Sequence, residues 1–222
     1  MLPSDILLID KPSGITSHDV VDDVRRVFHT RRVGHAGTLD PCATGLLIIG
    51  INAGTKKLTA LVGLDKTYEA TLLLGATSTT FDRDGTITIN STTDSKPSLE
   101  TIERVLDRFR GGYDQRAPLY SAKKIHGKKL YELARAGCAT EEMRPTKSVR
   151  ITELRIIRYA YPELDVIVTC SSGTYIRSLA DDIGRALDIG AYLFALRRTR
   201  VGPYRLQDAV ALTAIGSVSQ TR

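Results

Sequence analysis

Gly34-His35-Ala36-Gly37-Thr38-Leu39-Asp40-Pro41-Cys42-Ala43-Thr44-Gly45 is the densest unusual stretch of this 222-residue chain. Three glycines in so short a run imply a backbone that bends sharply or lies close to something, because glycine takes either sign of φ at little steric cost. Pro41 biases Asp40 away from the α region and towards extended geometry. Leu46 to Ile51 follows at once and reads as a strongly apolar strand. A lone carboxylate thus sits on a tight loop just before a buried strand, an arrangement suited to presenting one charge in a cleft. The same residues also fit a plainer arrangement in which Asp40 caps a turn.

On the N-terminal side, Ile6 to Ile9 is a short buried strand ended by the turn-rich Asp10-Lys11-Pro12-Ser13-Gly14. Val20, Val21, Val24, Val27 and Phe28 then recur at helical spacing, with Thr16 and Ser17 as candidate caps. On the C-terminal side, Tyr68 to Leu74 is a second strand rich in β-formers. Residues 76–97, full of Thr, Ser, Asp and Gly, make a loop or irregular hairpin. A helix from Ser98 sets Leu99, Ile102, Val105, Leu106 and Phe109 on one face and stops at Gly111-Gly112. Residues 149–159 and 163–170 are two strands joined at Tyr161-Pro162, and Ile176, Leu179, Ala180, Ile183, Ala186 and Leu187 mark an amphipathic helix. Strands and helices mix without a regular βαβ rhythm, which predicts an α+β fold. No internal repeat and no linker divides the chain, so a single domain over 1–222 is expected.

The 42% of hydrophobic residues suffices for a real core. Lys and Arg total 31 against 25 acids, a net charge of +6 and a pI near 9.3. A moderate basic excess suits a partner with phosphates, since each neutralised phosphate releases counterions, although many basic proteins bind no nucleic acid. Cys42, Cys138 and Cys170 are scattered and odd in number, with no CxxC pair, so neither a zinc ribbon nor a disulfide framework is indicated and a reducing cytoplasm fits. The N-terminus lacks the basic and apolar regions of a signal peptide, and the apolar runs are too short to cross a bilayer. GxxxxGK[ST], GxGxxG, GxSxG and HExxH are all missing, and His18, His29, His35 and His126 lack metal-ligand spacing, which counts against nucleotide hydrolysis, dinucleotide chemistry, serine hydrolysis and zinc chemistry.

Two further stretches carry candidate chemistry. Cys170 to Leu179, with Gly173-Thr174-Tyr175-Ile176-Arg177 at its centre, reads as a strand end, a small-residue turn and a helix start. Helix N-termini attract anions, and Arg177 suits a carboxylate or phosphate partner; by the residues alone, a plain strand-to-helix connection with Thr174 as N-cap is the better fit. Residues 113–147 are polar and basic, with Lys123, Lys124, Lys128, Lys129, Arg135 and Arg144, and with Tyr113, Tyr120 and Tyr131 interleaved; a short helix is expected around Leu130 to Ala136. Cationic side chains and aromatic rings hold looped RNA. A solvated surface loop has the same composition.

In order along nearly the whole chain, these stretches resemble the TruB family of pseudouridine synthases. The series runs through Asp10 to Ser17, Gly34 to Gly45, Lys66-Thr67-Tyr68-Glu69-Ala70, Leu74 to Thr79, Asp82-Arg83-Asp84-Gly85, Tyr120 to Gly127, Leu130 to Gly137, Gly173 to Leu179, Leu196-Arg197-Arg198-Thr199 and Val201-Gly202-Pro203-Tyr204. The resemblance implies a pseudouridine synthase fold, with a mixed, mainly antiparallel central sheet flanked by helices and residues 113–147 inserted as an RNA-gripping thumb. It implies that Asp40 is the catalytic aspartate, that Tyr68 stacks on the target base and that Arg177 pairs with Asp40. It implies that His35 helps to hold RNA with the target nucleotide flipped out, and that Tyr175, Lys56 and Leu196 line the pocket. Lys124 and Arg135 join the RNA-binding set from the thumb. The implied reaction isomerises uridine 55 in the tRNA T-loop, with no metal and no cofactor. The implied partner is the tRNA T-stem-loop, with no membrane, no obligatory protein partner and a monomeric enzyme in the cytoplasm. Whether Asp40 acts as nucleophile or as base stays open. Ala117-Pro118 replaces a pair of prolines, a small residue and a histidine are missing near Asp188 and Tyr192, and the chain is expected to lack a C-terminal PUA domain. A non-catalytic RNA-binding module and a carboxylate glycosidase are the rival classes; the second needs two flanking acids, and only Asp40 sits in a suitable motif.

Overall fold

The computed structural model describes residues 5–90, 96–121, 123–125 and 127–219. The first four residues, residues 91–95 of the 76–97 loop, Ala122 and His126 of the Tyr120–Gly127 motif and the last three residues lie outside that description. In chain order come β1 (Ile6–Lys11), α1 (Ser17–Val27), β2 (Val33–Ala36), β3 (Thr44–Ile51), α2 (Leu58–Val62) and β4 (Lys66–Leu74). Then follow β5 (Ala76–Ser78), β6 (Ile87–Ile89), α3 (Leu99–Asp107), β7 (Gly111–Arg116), β8 (Lys124–Ile125), β9 (Lys128–Lys129) and α4 (Leu130–Arg135). The chain continues with β10 (Thr146–Ala160), β11 (Glu163–Cys170), α5 (Ile176–Ala186), β12 (Ala191–Val201), β13 (Tyr204–Arg205), β14 (Val210–Ala211) and α6 (Ile215–Ser219). Two compact units emerge, Met1–Glu69 with Leu196–Arg222 and Ala70–Ala195, and β4 and β12 each contain a boundary between them.

In the first unit β3 is central. It pairs antiparallel with β1, from Ile6↔Gly50 to Lys11↔Gly45, and with β2, from Val33↔Ile51 to Ala36↔Ile48. It also pairs parallel with β12 through Arg197↔Thr44 and Arg198↔Gly45. Both faces of β1 and β3 are covered, which is why Leu46 to Ile51 reads as a continuous apolar run rather than an alternating one. Leu47 and Ile49 pack with Val20, Val21 and Val24 of α1, while Leu46 and Ile48 pack with Leu58 and Val201. Thr16 starts α1 with a capping box: its hydroxyl accepts from the Asp19 N–H and the Asp19 carboxylate accepts from the Thr16 N–H.

In the second unit β10 pairs antiparallel with β11 on one side and with β7 on the other, and β5 and β6 form a hairpin within the Thr- and Ser-rich 76–97 stretch. β11 buries alternate residues, Leu164, Val166, Val168 and Cys170, as a half-covered strand should. Ser98 caps α3, which buries Ile102, Val105 and Leu106, and α5 buries Ile176, Leu179, Ala180 and Ile183. Antiparallel pairing dominates and helices flank it, as the α+β expectation had it. Residues 113–147 leave the body along β7 and return along β10, closed at the root by Arg116↔Thr146 and Gln115↔Lys147. They hold the expected short helix, α4.

Candidate active site

β2 and β3 make the Gly34–Gly45 stretch a hairpin whose loop, residues 37–43, carries Asp40. Gly37 and Gly45 stand at φ of +88° and +100°, and a Cβ built at Gly45 would fall 2.3 Å from the Arg198 carbonyl oxygen of β12. Both backbone freedom and close approach therefore require glycine at position 45.

The loop is fixed through its main-chain carbonyls. Arg198, 1% exposed, donates to Gly37 O at 2.9 Å, Thr38 O at 3.4 Å and Leu46 O at 2.7 Å. Ser17 Oγ donates to Leu39 O at 3.0 Å and accepts from Leu39 N at 2.9 Å. Lys11, fully buried, donates from Nζ to Pro41 O at 3.2 Å and also to Pro12 O and Ile15 O. Gly14 N reaches Pro41 O at 2.9 Å, and Ser13 Oγ reaches Cys42 O at 3.2 Å. Burial holds the Lys11 ammonium below the usual lysine range, while Cys42 and Asp40 oppose this by favouring its charged form. Asp40 is half-buried and shares its loop's surroundings with a desolvated cation.

In the sequence Lys11 and Arg198 carried no assigned role, and Ser17 was only a candidate helix cap. The signal was there, because Asp10 to Ser17 and Leu196 to Thr199 both stood in the resemblance. What pointed to nothing was a lysine and an arginine whose partners are backbone carbonyls, invisible to any motif of side chains.

His35 on β2 is half-buried, and its Nδ1 is buried with no hydrogen-bond partner among the described residues. Burial, then Arg198 and His18, push its pKa below the ordinary histidine value, so the imidazole is neutral at pH 7. Tyr68 on β4 is buried, on the same strand face as Lys66 and Ala70. Lys56 is exposed in the 3-10 turn after β3, and Leu196 is half-buried on β12.

In the second unit, Arg177 is 6% exposed at the start of α5. Its guanidinium donates to Thr80 O and Tyr120 O, both at 3.2 Å, and lies 3.5 Å from the buried Asp82 carboxylate. Asp82 is a second carboxylate, part of the Asp82-Arg83-Asp84-Gly85 motif, where its type alone marked no role. The Thr174 N-cap expectation fails: Tyr175 is the N-cap, without a side-chain cap bond, and the Thr174 hydroxyl donates back to Ser171 O at 2.8 Å. Tyr175 is instead held through its main chain by the Gln115 amide, N–H to Oε1 at 2.8 Å and Nε2 to O at 3.0 Å.

Within residues 113–147, Lys124 falls on β8 and its side chain is outside the description. Arg135 and Lys129 both lie over the Tyr131 ring, at 5.6 and 5.4 Å. The Tyr113 ring meets Phe109 edge-on and its hydroxyl donates to Asp182 Oδ2 at 3.3 Å. Burial, then repulsion from Asp181, pushes Asp182 from 3.8 up to about 6. The folded protein therefore binds that proton more tightly than the open chain between about pH 4 and 6. Its stabilising effect is full below that window and is lost as pH rises through about 6, a cost on the order of 2 kcal/mol at neutral pH for a partly screened group. Asp182→Asn is expected to raise the melting temperature at pH 8 and to flatten the stability profile between about pH 4 and 6, as thermal unfolding across that range would read.

Residues 25–176 match the family model described as TruB family pseudouridylate synthase (N terminal domain). The fold and its matched sequence define a pseudouridine synthase, an isomerase that converts uridine to pseudouridine in RNA. Residues 177–221 match the tRNA pseudouridylate synthase B C-terminal domain. The tRNA pseudouridine synthase B of Corynebacterium diphtheriae is 49% identical over 94% of this chain and 71% of its own length, and that of Corynebacterium efficiens is 45% identical over the same shares. A solved chain from a Cbf5–Nop10–Gar1 complex matches 96% of this chain with a TM-score of 0.75 and 28% identity; this chain spans about half its length, 54%. The chain belongs to the TruB family, isomerases acting on tRNA. Among the described residues no helix is long and apolar enough to cross a membrane.

Proposed function

We propose that the protein isomerises uridine 55 in the T-loop of tRNA, with Asp40 as the essential carboxylate. A base inside a folded RNA cannot be turned over, so the nucleotide is flipped into the pocket, at a cost of a few kcal/mol for unstacking. Stacking on Tyr68 and cationic contacts to phosphate offset that cost. Asp40 then acts at the sugar, as nucleophile or as base, while the bond from N1 to the sugar breaks. The uracil turns and C5 bonds to the sugar; C5 loses its proton and N1 gains one, so atoms and electrons balance without a redox partner. Arg177 orients the carboxylate, His35, Tyr175, Lys56 and Leu196 line the pocket, and residues 113–147, with Lys124 and Arg135, grip the RNA arm. The enzyme works in the cytoplasm as a monomer, without a protein partner.

The observation that carries this reading is the Asp40 loop, whose carbonyls from Gly37 to Cys42 are held by Lys11, Ser13, Gly14, Ser17 and Arg198. A loop that carries one acid and is pinned from five sides gives that acid a fixed position before substrate arrives, as electrostatic preorganisation requires. The test is incubation with unmodified tRNA transcript, followed by chemical labelling of pseudouridine and mapping. Label is expected at uridine 55 and not in a transcript with cytidine there. Label confined to other uridines would overturn the choice of target.

A further inference from the structure

We propose that Gln115 is a positioning residue for the isomerisation, setting the place of Tyr175 and Arg177 from the root of the thumb. The inference rests on the roles proposed above for those two residues.

Gln115 is 2% exposed on β7, where it is paired with Lys147 of β10, so it stands where residues 113–147 leave and rejoin the body. A buried primary amide must satisfy one oxygen and two N–H groups. Gln115 does so with Tyr175 and Tyr113 alone. Its Oε1 accepts from Tyr175 N at 2.8 Å, and its Nε2 donates to Tyr175 O at 3.0 Å and to the Tyr113 hydroxyl. Both main-chain groups of one residue are therefore read by one side chain, which fixes that peptide in position and in rotation.

Tyr175 is the residue that needs such a clamp. It is the N-cap of α5 and has no side-chain cap bond, so the helix start is not defined by its own sequence. Arg177 lies two residues on, committed to Thr80 O, Tyr120 O and Asp82. The Tyr113 hydroxyl, which takes the second Gln115 N–H, passes its own proton to Asp182 of the same helix. The bonds thus close a ring from the first residue before α5, through β7, to its second turn. A pocket of about 160 Å³ beside the clamp is lined by Gln115, Lys123, Lys147, Gly173 and Tyr175, two thumb-side cations among them.

Single-turnover rates at saturating tRNA, with tRNA affinity by filter binding, separate positioning from stability. Gln115→Ala is expected to slow the chemical step on the order of tenfold to a hundredfold, as a misplaced reacting geometry does, with affinity within about twofold of the parent. Ser178→Ala is the control. It removes the neighbouring bond from Ser178 Oγ to Arg116 O of β7, 2.8 Å long, without touching Tyr175. It is expected to lower the melting temperature and leave the rate alone. Should Gln115→Ala not fold, the isosteric Gln115→Glu keeps the acceptor for Tyr175 N and sets an oxygen against Tyr175 O, and it too is expected to lose rate. Equal rate losses in the Gln115 and Ser178 variants would make the clamp a general support and overturn the proposal. A parental rate in the Gln115 variant, beside a loss in Arg177→Ala, overturns the clamp alone. No loss in either overturns the reading on which it rests.

Discussion

Asp40→Asn is expected to fold, to bind tRNA with parental affinity and to form no measurable pseudouridine. The hydrogen bonds that hold the loop run to main-chain oxygens of Gly37, Thr38, Leu39, Pro41 and Cys42, so the substitution leaves them in place. What it removes is the one charge the loop presents, in a setting where the buried Lys11 ammonium already feels it. An amide is neither a nucleophile towards the sugar nor a base at C5. Turnover should fall at least a thousandfold, about 4 kcal/mol or more of lost transition-state stabilisation. Labelling of pseudouridine over hours, beside a binding isotherm, checks both halves. Turnover within tenfold of the parent would remove Asp40 from the chemistry.

The fold was legible where one face or both faces of an element are buried. Leu46 to Ile51, Ile102–Leu106 and Ile176–Ile183 carry their burial in their spacing, and the structure places β3, α3 and α5 there. β12 was not read as a strand: its apolar first half, Ala191 to Leu196, runs into Arg197-Arg198-Thr199-Arg200, and with Phe194 exposed and the charged Arg198 nearly sealed off no period of two runs through it. β7 was hidden for a similar reason, since Gly111-Gly112 reads as a helix stop and Gln115 as a surface residue. At the candidate site the side chains proposed to react stand out by type and motif. Their supports do not, because Lys11, Arg198 and Gln115 act on peptide groups, and a peptide group has the same chemistry at every position in a sequence. The Thr174 cap failed because its hydroxyl turns back to donate to Ser171 O, while the N–H of Tyr175 goes to the Gln115 amide of a neighbouring strand.

Arg198→Ala is expected to lose both stability and activity, and Arg198→Lys to rescue little of either. The guanidinium is a fork: Nε goes to Leu46 O on β3, Nη2 to Gly37 O and Nη1 to Thr38 O in the loop. One side chain thus ties the strand to the two residues on which the loop turns towards Asp40. Truncation leaves a void at a site only 1% exposed and strips three carbonyls of a charged donor, where each unsatisfied buried group costs about 1–3 kcal/mol. A net loss of about 3 kcal/mol or more follows, and in a chain of this size that is a fall of roughly 6–12 °C in melting temperature. A lysine restores the charge but offers one compact ammonium, which cannot span three acceptors set in a fork. The activity loss should exceed what unfolding explains. At 20 °C, far below the transition, the freed loop no longer holds the carboxylate in register, and the rate at saturating tRNA should drop on the order of a hundredfold. A variant that melts early yet turns over at the parental rate when cold would show that the loop keeps Asp40 in place without its buried arginine.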